Sequence, residues 1–122
     1  MWELTKSFRF EAAHAITGTT LGHVSEEVHG HSFRAEIAIS GEPDPRTGMI
    51  VDLGQFERSI ADVQQMLDHK LLNRIEALGA PTLENLARFI WERVQHVGCL
   101  KRVTVYRDSR EEACSYFGED AG

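Results

Sequence analysis

Two stretches of alternating apolar and polar residues constrain the fold of this chain more than any other feature. In residues 2–12 the apolar side chains occupy even positions, and in residues 32–40 they occupy odd positions. A period of two places the apolar side chains of a strand on one face. The two stretches therefore predict two half-buried β-strands, joined by a Gly- and Thr-rich loop over residues 15–28.

Three histidines extend the apolar faces of these strands at the ends that meet the loop. His14 continues the even register of the first strand, and His29 and His31 continue the odd register of the second. If the strands pair antiparallel, the three imidazoles converge, and three His ligands leave the fourth position of a catalytic Zn²⁺ open. Iron, nickel and copper are alternative metals. A chain with six histidines also allows the plainer interpretation that these three bind nothing.

Two segments with helical spacing of apolar residues separate this pair of strands from a second pair. Residues 53–68 show the first helical pattern, after Asp52 and a glutamine three residues on that resemble a capping box. A second helical pattern follows Thr82. Alternation at residues 103–105 and 113–117 predicts two more strands. The order β-β-α-α-β-β favours an antiparallel α+β layer over a βαβ sheet.

The segment DHKLLN, residues 68–73, closes the first predicted helix and contains a second candidate for chemistry. Asp68 directly precedes His69. A carboxylate beside an imidazole orients the ring and holds its charged form, which suits proton transfer near neutral pH. The alternative is a helix end at which a charged histidine complements the helix dipole. The pair is therefore a candidate acid–base couple with a purely structural alternative.

Composition argues against several classes of partner. A length of 122 residues predicts a single domain, residues 1–122, and the net charge of −6 gives no electrostatic reason to expect nucleic acid or an anionic membrane. Two cysteines, Cys99 and Cys114, are too few for a disulfide framework and fit a reducing compartment. No apolar run approaches the roughly 20 residues that span a bilayer. We therefore expect a cytoplasmic domain.

These motifs together resemble those of the 6-pyruvoyl- and 6-carboxy-tetrahydropterin synthase family. The resemblance extends over nearly the whole chain and rests on FEAAH, HGHSF, GMIVDLGQFE, LDHKLLN, PTLENLARFI and VTVY, in that order. It implies a tunnelling fold, an α+β architecture in which a four-stranded antiparallel sheet (ββααββ) has two helices on one face. It also implies rings of subunits, usually a homohexamer built as a dimer of trimers, with active sites at the subunit interfaces.

The resemblance further implies a reaction and the residues that carry it. Zn²⁺ held by the positions matching His14, His29 and His31 would bind the side chain of a reduced pterin, acidify its hydroxyls and stabilise enolate-like charge. The residues matching Asp68 and His69 would form the acid–base pair. The chain is thus expected to be a zinc-dependent lyase that breaks a C–C or C–O bond of 7,8-dihydroneopterin triphosphate or a related reduced pterin.

The sequence departs from the family pattern at the residue that should be the catalytic thiol. Members that make 6-pyruvoyl- or 6-carboxy-tetrahydropterin carry a Cys four residues before HGH, where this chain has Ser25. An aliphatic hydroxyl is a far poorer base than a thiol, so Ser25 alone does not replace it. Glu26 completes a Glu-x-x-HGH pattern, which resembles a family branch that uses Glu to cleave the pterin side chain. The alternative is that Glu26 is a solvated loop charge.

A second departure concerns the residue that anchors the pterin ring. The family uses a Glu after the third strand, because a carboxylate accepts two hydrogen bonds from the amino and N–H groups of the ring. Alignment on VTVY places Arg107 there, whereas alignment back from the last strand places Asp108 there. We favour Asp108, since a one-residue bulge before the hairpin would reconcile both alignments.

These departures leave open which product forms and whether the chain catalyses a reaction. One possibility is formation of 6-carboxy-tetrahydropterin on the route to queuosine and related deazapurines. Another is Glu26-based cleavage to 6-hydroxymethyl-dihydropterin for folate. The alternatives from other classes are a catalytically silent, zinc-containing protein that binds a pterin or purine-like ligand on the same scaffold, and a domain in which the metal only stabilises the fold.

Overall fold

The computed structural model describes residues 1–119, apart from the side chains of His23 and Val24. The last three positions of the predicted domain lie outside the described residues. No helix in the described part of the chain is long and apolar enough to cross a membrane. The helices and strands, in chain order, are β1 (Trp2–His14), α1 (His23–Glu26), β2 (His29–Gly41), α2 (Leu53–Leu67), β3 (Lys70–Leu71), α3 (Leu83–Val94), β4 (Cys99–Arg107) and β5 (Glu112–Tyr116).

The strands form one mixed sheet in the order β3-β1-β2-β4-β5. The four long strands pair antiparallel, as predicted. The prediction of four strands was wrong in number, because β3 adds a fifth strand that runs parallel to β1 through the pairs Ala12–Lys70 and Ala13–Leu71. Two residues are too few to produce a period-two pattern, so β3 carries no signal of its own in the sequence.

The register of β1 and β2 places the apolar side chains of both strands on one face. Phe10 lies opposite Phe33, and the pairing continues without interruption to His14 opposite His29. Helices α2 and α3 cover this face with their own apolar stripes, and both belong to the core cluster that includes the two phenylalanines. The core therefore lies between the sheet and the two longer helices, and the histidines stand at one end of it.

Helix α2 begins at its predicted first residue and ends one residue before its predicted end, and α3 begins directly after Thr82, as predicted. Asp52 caps α2, because its side chain accepts a hydrogen bond from the N–H of Gln55 at 3.1 Å. Thr82 caps α3 in the same way, accepting from the N–H of Asn85 at 3.1 Å. These caps satisfy donors that the first turn of a helix leaves without partners. Pro81 directly precedes this cap, and its carbonyl is part of the site described below.

The prediction of a loop over residues 15–28 was wrong in part, because this segment contains the four-residue helix α1. The N–H of Ile16 donates to the carbonyl of Ser25 at 2.7 Å and ties the start of this segment to α1. A single turn of helix has too few residues for a 3.6-residue pattern to be recognised.

Candidate metal centre

The structure brings together the three histidines that the strand register predicts to converge. The ring centroids of His14 and His29 lie 4.6 Å apart, those of His14 and His31 5.1 Å, and those of His29 and His31 4.8 Å. One nitrogen from each ring can be chosen so that all three lie within 4.8 Å of one another. This arrangement can hold one metal ion with three imidazole ligands.

Backbone carbonyls hold two of the rings in the tautomer that a metal ligand needs. Nδ1–H of His14 donates to the carbonyl of Pro81 at 2.9 Å, and Nδ1–H of His29 donates to the carbonyl of Glu27 at 2.8 Å. Each bond leaves the lone pair on Nε2, and such carbonyl contacts are the usual outer partners of metal-bound histidines.

The Nε2 atom of His14 supplies a direct test of whether a metal fits. His14 is only 1% exposed, and its Nε2 is buried without a hydrogen-bond partner among the described residues. An unsatisfied buried polar atom costs about 1–3 kcal/mol. A metal ion among the three rings would satisfy this nitrogen, so the residues present fit the group.

The protonation states of the rings also suit metal binding. Burial lowers the pKa of His14 below its ordinary value of 6.5, and the neighbouring charges of His29 and Arg107 lower it further. Burial, with the charge of Arg107, lowers the pKa of His31 to about 4. Both rings are therefore neutral at pH 7, and neutral imidazole is the form that binds a metal.

A pocket of about 680 Å³ adjoins His31. It lies between the β1–β2 segment, the start of α3 and the β4–β5 hairpin. The residues that line it include Ser25, Arg107 and Cys114, together with the glutamates Glu84, Glu111 and Glu112. The pocket is large enough for a bicyclic ring with a short side chain.

Ser25 and Glu26, the candidates for the missing thiol, occupy different environments. Ser25 is buried, and its hydroxyl donates to the carbonyl of Gly22 at 3.1 Å and lies 2.9 Å from the hydroxyl of Thr19. These bonds hold the turn before α1 and occupy the hydroxyl. Glu26 ends α1 with an exposed side chain, and it is not one of the described residues that line the pocket.

Asp68 and His69 form the predicted pair, at the end of α2 and on the edge of β1. Asp68 Oδ2 lies 3.0 Å from Nδ1 of His69, and Asp68 Oδ1 accepts from the N–H of Glu11 at 2.8 Å. The N–H of His69 donates to the carbonyl of Glu11 at 2.6 Å, with His69 at a φ of 60°. The bond from the Glu11 N–H, reinforced by His69, lowers the pKa of Asp68.

His69 lines a second cleft of about 530 Å³, together with Ser32, Lys70 and His31, and His31 also lines the pocket beside Arg107. The His69 side chain is 79% exposed there. Neither Asp68 nor His69 is among the described residues that line the pocket beside Arg107.

The two candidates for the ring anchor point to opposite sides of the β4–β5 hairpin. Arg107 lines the pocket, whereas Asp108 accepts hydrogen bonds from Nε and Nη2 of Arg34 at 3.1 and 3.2 Å. Strands β4 and β5 pair in unbroken register from Val103 opposite Tyr116 to Arg107 opposite Glu112. The one-residue bulge that was expected before the hairpin is absent from these pairs, so the reason for favouring Asp108 is wrong.

Two features of the site were missed from the sequence. The Pro81 carbonyl that orients His14 lies 67 positions away along the chain, and a backbone acceptor leaves no signal in residue identity. The second feature is Glu112 in the pocket. Its signal was a charge opposite to that of Arg107 five residues earlier, across a predicted hairpin, where cross-strand ion pairs are common.

Comparison with known proteins agrees with this fold. A family model described as 6-pyruvoyl tetrahydropterin synthase matches residues 3–119. The human 6-pyruvoyl tetrahydrobiopterin synthase is 36% identical over 85 residues, which cover 64% of this chain and 59% of the human protein. The dihydroneopterin monophosphate aldolase of Pyrococcus furiosus is 36% identical over 86 residues, which cover 70% of this chain and 68% of that protein.

Two further comparisons cover more of the chain. A putative 6-carboxy-5,6,7,8-tetrahydropterin synthase of Archaeoglobus fulgidus is 36% identical over 100 residues, which cover 81% of this chain and 82% of that protein. The structure of the Caenorhabditis elegans 6-pyruvoyl tetrahydropterin synthase matches with a TM-score of 0.82 over 97% of this chain and 96% of that chain, at 24% identity. The likeness to that structure establishes the fold. With the family model matched over residues 3–119, the chain belongs to the 6-pyruvoyl tetrahydropterin synthase family.

Proposed function

We propose that this chain is a zinc-dependent lyase that acts on the side chain of 7,8-dihydroneopterin triphosphate or a related reduced pterin. The observation that carries the proposal is the triad of His14, His29 and His31, whose rings converge around the buried, partnerless Nε2 of His14, as far as the described residues show. Relatives that are named for pterin synthesis or for cleavage of a dihydroneopterin support the substrate class.

The three histidines would hold the metal through one nitrogen each. We favour Zn²⁺ because three imidazoles in a partly buried site suit it and leave a position open for substrate. The ion would polarise substrate oxygens and stabilise the negative charge that develops as a bond breaks. The protein contributes His14 and His31 as neutral rings, and the carbonyls of Pro81 and Glu27 orient the rings of His14 and His29.

His69 is proposed to transfer the proton that bond cleavage requires. Asp68 accepts the hydrogen bond from Nδ1–H, so the outward Nε2 keeps the lone pair that takes a proton from substrate. The N–H of Glu11 helps to keep the Asp68 carboxylate charged, and this charge stabilises the imidazolium after proton uptake. Because the His69 ring is exposed on a cleft that shares only His31, among the described residues, with the pocket beside Arg107, we propose that the active site is completed between copies of the chain, in a homohexamer.

Glu26 is proposed as the second proton-transfer group in place of the family thiol. The Ser25 hydroxyl is occupied by the Gly22 carbonyl and by Thr19, so we assign Ser25 to holding the turn and not to proton transfer. A carboxylate base favours cleavage of the side chain to 6-hydroxymethyl-dihydropterin. Formation of 6-carboxy-tetrahydropterin, on the route to queuosine and related deazapurines, is the competing product.

One observation favours a second candidate function, a catalytically silent protein that binds zinc and a pterin. Glu26 is not among the described residues that line the pocket, and Ser25 has no free hydroxyl proton to give. Under this proposal the scaffold keeps its metal and its ligand pocket but has no group that breaks the side chain.

Incubation of the purified protein with 7,8-dihydroneopterin triphosphate, followed by mass spectrometry, separates these proposals. The product mass distinguishes 6-hydroxymethyl-dihydropterin from 6-carboxy-tetrahydropterin. Pterin binding without turnover supports the silent protein. A purified protein that takes up no zinc, measured by elemental analysis, refutes the metal proposal.

Glu26→Gln tests the base, with Glu27→Gln as its matched control. Removal of a general base lowers kcat about 10²- to 10⁴-fold. Glu27 is the adjacent exposed glutamate, and its contact with His29 uses its backbone carbonyl, which the substitution keeps. An unchanged kcat in Glu26→Gln refutes the assignment of Glu26 as the base.

A further inference from the structure

Three carboxylates line the pocket beside the histidine triad, at Glu84, Glu111 and Glu112. They differ in how they are held. Among the described residues, no hydrogen bond or ion pair holds the side chains of the first two, whereas Glu112 is bound by arginine. A carboxylate whose direction is already fixed binds a ligand at a lower entropic cost, because a mobile side chain loses conformational entropy on binding.

Arg107 holds Glu112 through two donors. Nε and Nη2 of Arg107 donate to Oε1 of Glu112 at 3.2 and 2.9 Å, and Arg110 Nε lies 3.9 Å from the same oxygen. The two residues lie directly opposite each other in the β4–β5 ladder, and the Arg107 side chain is only 14% exposed. Within residues 1–119, every polar contact of this carboxylate goes to Oε1, which leaves the lone pairs of Oε2 for a ligand.

We infer that Glu112 selects the ring of the ligand by accepting hydrogen bonds from an edge that presents two adjacent N–H donors. Such an edge occurs in 2-aminopyrimidinones, where a ring N–H stands beside an exocyclic amino group. The inference rests on the proposed function, because it assumes that the pocket takes a pterin. It moves the ring-anchoring carboxylate from the end of β4 to the facing position on β5, with Arg107 as its positioning residue.

The positions of Arg107 and Asp108, the two residues first considered as the ring anchor, support the assignment of Glu112. Arg107 has only donors, so it repels the amino and N–H groups of such an edge. The Asp108 carboxylate is held by Arg34, and Asp108 is not among the described residues that line the pocket. Glu112 therefore supplies what both lack, an oriented acceptor in the pocket that His31 also lines.

Fluorescence titration of the zinc-loaded protein with neopterin tests the inference. Glu112→Gln replaces one acceptor oxygen by an amino donor of the same size. We expect the Kd for neopterin to rise about 10- to 100-fold, the usual cost of losing hydrogen bonds to a charged group. Glu84→Gln and Glu111→Gln are matched controls in the same pocket, and neither should change Kd by more than about threefold.

A second ligand makes the result specific to recognition. A lumazine with the same side chain carries an oxygen in place of the 2-amino group of neopterin. The wild type should prefer neopterin, and Glu112→Gln should lose that preference because its amide can donate to the lumazine oxygen. A change in folding alone weakens both ligands equally, and circular dichroism and zinc content check for it.

The outcomes separate this inference from the function it rests on. Wild-type binding of neopterin with unchanged affinity and preference in Glu112→Gln overturns the role of Glu112 and leaves the proposed function standing. The role of Glu112 is also overturned if Glu84→Gln or Glu111→Gln loses affinity for neopterin and Glu112→Gln does not. Pterin binding that depends on Glu112 without turnover supports the inference and overturns the lyase. A wild type that binds no pterin overturns both.

Discussion

Replacement of His14 by leucine tests whether the three histidines bind a metal as one unit. Leucine has nearly the volume of histidine but no ligand atom. The site suits this exchange, because His14 is 1% exposed and its ring lies 5.7 Å from the ring of Phe33. The substitution therefore removes the metal ligand while it keeps most of the apolar packing.

Two unsatisfied groups determine the cost of this change in the metal-free protein. The substitution removes the buried Nε2 that has no partner among the described residues, and it leaves the buried Pro81 carbonyl without its donor. Each such group costs about 1–3 kcal/mol, so the two effects largely offset each other. The free energies of unfolding of the two metal-free proteins should agree within about 2 kcal/mol.

Zinc should then raise the Tm of the wild type but not that of His14→Leu. A ligand at a hundred times its Kd stabilises the native state by about 2.7 kcal/mol. In a chain of 122 residues this corresponds to a rise in Tm of roughly 10 °C. His14→Leu should show no such rise, since two remaining imidazoles bind zinc weakly.

The assay is thermal unfolding in a zinc buffer and in chelator, with His69→Leu as control. His69 is exposed and outside the triad, so its replacement should keep the full zinc-dependent rise in Tm. His31→Leu supplies a second triad variant if His14→Leu fails to fold. A zinc-dependent rise that survives in either triad variant, or disappears in His69→Leu, refutes the shared site.

Two further predictions concern the elements that support the site. The bond from the Glu11 N–H lowers the pKa of Asp68 below 3.8, so Asp68 stabilises the fold above that pH and this contribution disappears as the pH falls through its lower folded-state value. Asp68→Asn should lose less stability on acidification below about pH 4 than the wild type, measured by urea unfolding at stepped pH; equal losses contradict this. Gly118→Ala should destabilise by about 1–3 kcal/mol, because its Cβ would lie 2.7 Å from Cζ2 of Trp91 at a φ of +89°. Gly48→Ala, also at positive φ (+74°) but with no atom within 4 Å, should cost only about 1 kcal/mol, and equal effects in denaturant unfolding would contradict the steric argument.

The sequence predicted those parts of the fold and site that follow from periodicity. Alternation in β1 and β2 gave the register that brings His14 opposite His29, and the caps at Asp52 and Thr82 gave the starts of both longer helices. These features repeat over many residues or use a residue type with one preferred role. Their signals are local, so they can be found without knowing the rest of the chain.

The parts that escaped prediction depend on contacts between distant segments. The parallel strand β3 exists because two residues after α2 lie beside β1, and the Pro81 carbonyl that binds His14 lies 67 positions further along the chain. The reason for favouring Asp108 was wrong, because it assumed a bulge where the β4–β5 ladder is regular. Alignment of motifs cannot reveal the register of this ladder, which places Arg107 opposite Glu112.

The metal ligands and the groups proposed for chemistry are held with different rigidity. His14, His29 and His31 stand on two paired strands that continue into the core, so a change at the site must disturb the sheet before it moves them. Glu26, by contrast, is exposed on a four-residue helix that hydrogen bonds of Ser25 help to hold. A substitution in this short segment can therefore change the proton-transfer group without disturbing the metal ligands. Ser25, which stands where the resemblance expects a thiol, and the proposed base Glu26 both lie in this short segment.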